Sequence, residues 1–154
     1  MKTLIEEFYT AFEALDAEGM VACYHDNVQF EDPAFGLLKG ERAKNMWRML
    51  CHSQKGKDFK IVSSNIRDQG AHTVAHWEAY YTFSKTGRKV HNKINAYFEF
   101  EDGKIKKHID SFDVYEWSKQ AMGLKGMLLG RTQFFKRKIK EQTNSLLDAF
   151  EAKL

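Results

Sequence analysis

The sequence predicts an α+β fold: N-terminal helices covering one face of a strongly curved, cone-shaped antiparallel sheet, with a C-terminal helical extension. Three observations predict it. Apolar residues recur at helical spacing through the first fifty residues. From residue 59 onward the pattern changes to long segments rich in β-branched and aromatic residues. Two of those segments are joined by Asp102-Gly103, a pair that favours a two-residue hairpin turn because both central positions need positive φ. Helices first and strands afterwards is the order of an α+β layer structure, and a bent sheet capped by helices leaves an open end suited to a pocket.

The elements follow in order. Residues 3 to 15 carry Leu4, Ile5, Phe8, Phe12 and Leu15 at helical spacing, with Thr3 and Glu6 as a capping box. Asp16 is placed to cap a short second helix running through Tyr24. Val28 and Phe30 alternate with polar residues as a short strand does, and Pro33, the single proline, ends it and holds Asp32 extended. Residues 41 to 51 form a third helix with Ala43, Met46, Trp47 and Leu50 as its buried stripe. Residues 53 to 58 are a loop, 59 to 67 a strand, 68 to 70 a turn and 73 to 84 an aromatic-rich strand. A helix from about Tyr115 to Met122 follows the hairpin. The glycine-punctuated apolar run 122 to 130 reads as a flexible segment packed over the body. A last amphipathic helix spans 131 to 153, with Phe135, Ile139, Leu146 and Phe150 on one side. Residues 1–118 are expected to form the cone domain, and 119–154 an extension packed on it.

The hairpin of residues 88 to 113 organises the chain. A two-residue loop sets Phe100 opposite Ile105 and places Glu101 and Glu99 across from Lys104 and Lys106. Strict alternation then puts Lys107 among inward phenylalanines. A β-bulge at Lys106-Lys107 keeps both lysines outside and turns His108, Asp110 and Phe112 inward; without it, Ile109, Ser111 and Asp113 point inward. The bulge is preferred because lysines rarely enter cores.

Composition excludes several classes. A chain of 154 residues with 43% hydrophobic residues suits one globular core. No apolar run approaches the roughly 18 residues of a membrane span. The acidic, amphipathic N-terminus lacks the basic start of a signal peptide, and Cys23 and Cys51 form neither a disulfide framework nor a metal spacing, so a reduced cytoplasmic protein is expected. The formal charge of +3, with its excess towards the C-terminal third, comes without any nucleic-acid motif. His25-Asp26 and Cys51-His52 are read as chain neighbours only, because adjacent side chains do not face each other.

The candidate catalytic residues are Asp32, Asp110 and His108. Asp32, at a strand end beside Phe30 and Phe35, is a candidate general base; the alternative is a turn aspartate bound to nearby amides. His108 and Asp110, two residues apart, share a face as a proton-relay or water-holding pair. Tyr9, Phe30, Phe35, Trp47, Trp77, Tyr81, Asn92 and Phe112 are the candidate pocket wall. No cofactor or metal is expected; the expected ligand is a small hydrophobic molecule.

Three stretches resemble the nuclear transport factor 2-like superfamily, which includes ketosteroid isomerases and SnoaL-like cyclases. They are Tyr24 to Pro33 ending in Glu-Asp-Pro, Gly36 to Gly40 leading into a helix, and Asp102-Gly103-Lys104-Ile105 followed by His108-Ile109-Asp110. The resemblance spans about residues 1 to 118. It implies a cone fold, sheet-to-sheet homodimers, Asp32 at the isomerase base and Asp110 at the SnoaL-like acid/base. It also implies that both isomerase oxyanion donors are displaced: the helix-1 tyrosine falls at Phe8, with Tyr9 beside it, and the strand aspartate near Ala96, with Asn95 beside it. Each such donor contributes about 3 kcal/mol or more to the transition state, so steroid isomerisation is not expected. A cyclase, dehydratase, isomerase or hydrolase remains open, as does a non-catalytic binding or dimeric interaction domain.

Overall fold

The computed structural model describes residues 1–154. Its elements are α1 (Lys2–Glu13), α2 (Ala17–Ala22), β1 (Tyr24–Asp32), β2 (Gly36–Lys39), α3 (Glu41–Gln54), β3 (Lys60–Gln69), β4 (His72–Phe83), β5 (Arg88–Glu101), β6 (Lys104–Ser111), α4 (Val114–Met122), α5 (Leu124–Leu129) and α6 (Gln133–Glu151). The strands form one curved six-stranded sheet in the order β2-β1-β6-β5-β4-β3. Every joint is antiparallel except one: β1 runs parallel to β6. That joint carries Phe30 beside His108 and Glu31 beside Ile109.

The hairpin β5–β6 contains the bulge. Phe100 pairs with Ile105 and Glu99 with Lys107, so Lys106 has no partner across the ladder. Beyond it Phe98 pairs with His108 and Ala96 with Asp110, which turns both polar residues onto the inner face. Lys106 is left outside, 2.9 Å from Glu101. The turn itself has positive φ at Asp102 (53°) and Gly103 (73°), as a type I′ turn requires.

Ile5, Phe8, Tyr9 and Phe12 of α1 are buried and share one core with Trp47 of α3, Phe30 of β1, Trp77 of β4 and Phe98 of β5. Burying a large side chain stabilises by roughly 1.5–3 kcal/mol, which is why the amphipathic stripe of α1 seats on the sheet.

Four local expectations are corrected. Thr3 lies inside α1 and caps nothing; Met1 is the N-cap residue, and Asp68 near the end of β3 accepts the Lys2 amide at 3.3 Å instead. A carboxylate brought in by tertiary structure satisfies the same orphan donors. The second helix ends before Tyr24, and β1 begins there. Residues 124–129, expected as a flexible apolar segment, form α5. It is set off from α4 by Gly123 (φ +61°) and held close by Gly126, where a Cβ would lie 1.9 Å from the Ser118 carbonyl oxygen. On α6 the buried leucine is Leu147, not Leu146, which is 58% exposed. The stripe therefore runs Phe135–Ile139–Thr143–Leu147, in steps of four.

The C-terminal helix is tied to the body at two places. Arg42 of α3 reaches Asp148 at 2.9 Å and also Glu151, whose other oxygen accepts from Asn45 at 2.8 Å. On the turn after β1, the Thr143 hydroxyl donates to the Ala34 carbonyl at 2.7 Å, and the Asn144 amide to the Phe35 carbonyl at 2.9 Å. No helix is long and apolar enough to cross a membrane.

Candidate functional site

At the centre of the inner face lies His108, fully buried. Rings surround it: Phe98 with centroids 4.3 Å away, Phe30 at 5.0 Å, Phe8 at 5.5 Å and the near-parallel Trp47 at 5.9 Å. A polar ring in such a place must satisfy both nitrogens. It does so through a chain of bonds. Trp47 Nε1–H donates to the Tyr24 hydroxyl at 2.7 Å. That hydroxyl, already accepting, gives its proton to His108 Nδ1 at 2.8 Å. His108 Nε2–H is thereby left to donate to Asp110 Oδ1 at 2.9 Å. The same oxygen lies 3.4 Å from Trp77 Nε1. The network thus makes Nδ1 the acceptor from Tyr24 and Nε2–H the donor to Asp110.

Asp32 stands at the end of β1, one residue past the Glu31–Ile109 pair, and is near enough to feel the charge of Asp110 on β6. Its Oδ1 accepts the amides of Ala34 at 3.0 Å and Phe35 at 2.6 Å. No protein donor reaches Oδ2. The residue is half-buried at the rim, but its carboxyl lies deep enough that burial dominates. Burial pushes it up to about 7, with the Asp110 charge adding to the rise and the two amides and Lys140 opposing it. Asp32 thus anchors its turn through Oδ1, while burial raises the proton affinity of the same carboxyl.

Tyr9 is the other unusual group. It is 1% exposed, and its hydroxyl has no hydrogen-bond partner. Burial first, and then the Asp110 and Tyr24 charges, raise its proton affinity well above the ordinary phenol value. Tyr24 is raised in the same way, against the pull of the Trp47 bond.

The remaining predicted wall residues divide. Phe30, Trp47 and Trp77 pack into the aromatic cluster, and Phe35 and Tyr81 pack partly buried against it. The Tyr81 hydroxyl accepts from Trp117 Nε1 at 2.7 Å. Asn92, opposite Ala79, faces inward further along the sheet. The expected open cavity at the cone centre is not what these side chains build: Tyr9, Phe30, Trp47 and Trp77 fill the space against one another. The two principal cavities lie elsewhere. One, of about 580 Å³, is on the outer face of the sheet beside Arg67, His76, Asn95 and Tyr97. The other, of about 490 Å³, is bounded by Pro33, Phe112, Tyr115 and α6. Of the predicted wall only Phe112 lines it. Each carboxylate sits just before a residue of that wall, Asp32 before Pro33 and Asp110 two before Phe112.

Tyr24 was not singled out from sequence; alternation along β1 marks it as inward-facing, but only the fold brings it to His108. His25 does not pair with Asp26 and is engaged elsewhere. Its Nε2 is 3.2 Å from Glu101 and 3.5 Å from Asp102 at the hairpin tip, where three potential ligand atoms lie within 4.8 Å of one another.

Residues 5–108 match the SnoaL-like domain, two-thirds of the chain. The chain belongs to the SnoaL-like domain family. Many nuclear transport factor 2-like structures share its fold. TerC, crystallised with polyporic acid, is 19% identical with a TM-score of 0.65, covering 77% of this chain and 95% of its own. An LEH-like epoxide hydrolase of M. tuberculosis is 23% identical with a TM-score of 0.61, covering 82% and 90%. A nuclear transport factor 2-like protein of unknown function from Burkholderia pseudomallei is 19% identical with a TM-score of 0.66, covering 78% and 95%. At these identities the likeness is one of fold. No curated protein matches in sequence.

Proposed function

We propose that this SnoaL-like protein is a proton-transfer enzyme for a small, largely apolar molecule, with Asp32 as its acid/base. The observation that carries the reading is the parallel joint of β1 and β6, which brings the buried carboxyl of Asp32 near enough to Asp110 to feel its charge. Oδ1 of Asp32 is fixed by two amides, so Oδ2 is the oxygen that takes the proton. A carboxyl near 7 is charged in part of the population and neutral in the rest, which suits it both to accept a proton and to return it. Asp110 already accepts from His108 and Trp77, and acts here as the fixed negative charge that keeps the proton affinity of Asp32 high. Cyclisation, dehydration, isomerisation and epoxide hydration all contain such a step. The epoxide hydrolase of the same fold lends the last some weight.

The test is turnover of small epoxides and β-keto esters by wild type and Asp32→Asn. A positioned general base contributes about 10²–10⁴-fold, so a loss of that size with the fold retained is expected. Equal turnover by the two proteins would reject the role.

A second reading is favoured by one observation. Leu124 and Leu128 of α5 are 70% and 72% exposed, and Phe134 of α6 is 56% exposed. An apolar patch of this kind suits a self-association surface of a homodimeric binding domain, either beside or in place of the sheet-to-sheet pairing the family implies. Sedimentation of wild type and Leu128→Glu tests it; identical molecular weights would remove α5 from any interface.

A further inference from the structure

The cavity against α6 lies largely outside the matched family region, and its chemistry differs from that of the aromatic core. Gln133, Lys136 and Lys140 come to one side of α6 by their spacing of three and four residues. Arg131 joins them from the segment before the helix, its guanidinium 4.0 Å from the centre of the Tyr115 ring. The neighbouring acids are engaged elsewhere: Glu116 pairs with Lys119, and Glu141 with Lys138. Asp113, the one carboxylate in the wall, caps α4 by accepting the Glu116 amide at 3.1 Å. Arg131, Lys136 and Lys140 form no ion pair, although Lys140 lies close enough to Asp32 to draw its proton affinity down. Lysines four apart on a helix repel each other, which favours an anion between them. The facing wall is apolar, built from Pro33 and Phe112.

We propose that this cavity binds the carboxylate end of a small aromatic acid, with Arg131, Lys136 and Lys140 on the anion and Pro33 and Phe112 against the flat body. A concave wall with three cations against one capping carboxylate concentrates counter-charge, and the planar fork of an arginine, oriented on a ring, matches a carboxylate. The volume of about 490 Å³ falls within the range of small-molecule sites. The inference goes beyond the acid/base reading, since it stands whether or not Asp32 turns over a substrate.

The full-length protein is titrated with naphthoate and with its neutral analogue naphthamide, following backbone amide shifts by NMR. Naphthoate is expected to bind about tenfold or more tightly than naphthamide, with shifts centred on Phe112, Gly130 and Gln133. The double variant Lys136→Gln/Lys140→Gln, changed at side chains outside the core, is expected to lose that preference, and Asp32→Asn to keep it. Equal affinities, binding of neither compound, shifts centred elsewhere, or a preference that survives in the double variant would each overturn the proposal. Because Asp32→Asn tests the acid/base reading separately, a failure of one leaves the other standing.

Discussion

Tyr24 and His108 meet hydroxyl to Nδ1 across 2.8 Å, although they stand 84 positions apart in the chain. The bond sits in the middle of a relay from Trp47 to Asp110, so removing the hydroxyl leaves the Trp47 N–H and a histidine nitrogen buried without partners. Tyr24→Phe is expected to lose about 2–4 kcal/mol, two unsatisfied groups at about 1–3 each with partial relaxation. Urea unfolding reads this directly, and a loss under about 0.5 kcal/mol would mean the relay is not formed.

Asp32 gives the protein a pH-dependent stability of a definite sign. Its carboxyl titrates near 3.9 when unfolded and at about 7 in the fold, so the folded state holds the proton more tightly. That contribution is fully present below the unfolded value and is lost as pH rises from about 4 to about 7, on the order of 2–4 kcal/mol for this partly exposed group. Asp32→Asn keeps an oxygen for the Ala34 and Phe35 amides and removes the charge. It is expected to flatten the profile and to be the more stable protein above neutrality. Parallel profiles for the two proteins would contradict the burial of Asp32.

The charge of Asp110 raises the proton affinity of Asp32, so Asp110→Asn is expected to lower the Asp32 midpoint measured by carboxyl-carbon NMR titration. An unmoved midpoint would mean that the two carboxylates do not sense each other across the parallel joint.

Tyr9 buries a hydroxyl with no partner, at a cost of about 1–3 kcal/mol. Tyr9→Phe removes that group and nothing else, and is expected to raise the melting temperature. If turnover by the Asp32 acid/base is found and falls in the same variant, the hydroxyl is reserved for substrate.

Gly126 lies so close to α4 that a Cβ would stand 1.9 Å from the Ser118 carbonyl oxygen. Gly126→Ala should therefore force α5 away from α4, costing about 1–3 kcal/mol as overpacking does, despite the better helix propensity of alanine. A stabilised variant would show that α5 is free to move.

The fold class, the stripes of the first and third helices and the Asp102-Gly103 turn were legible in the sequence because each rests on local periodicity and turn chemistry. The bulge at Lys106-Lys107 was the preferred of two readings, since a lysine among inward phenylalanines is rare, and the ladder decided for it. The inward placement of His108 and Asp110 followed from it. Asp32 was marked by its Pro33 neighbour and by family resemblance, not by any local sign of its proton affinity. What only tertiary structure decided depends on contacts between distant residues. Asp68 takes the place of Thr3 at the start of α1 because the end of β3 delivers a carboxylate there. Tyr24 becomes the partner of His108, and Asp32 the neighbour of Asp110, because β1 joins β6 in parallel. The aromatic residues expected to wall a pocket fill the centre instead, because Phe8, Phe12 and Trp47 reach it from two helices at once. Periodicity specifies which face a side chain takes; the space left in front of that face is set by everything that packs against it.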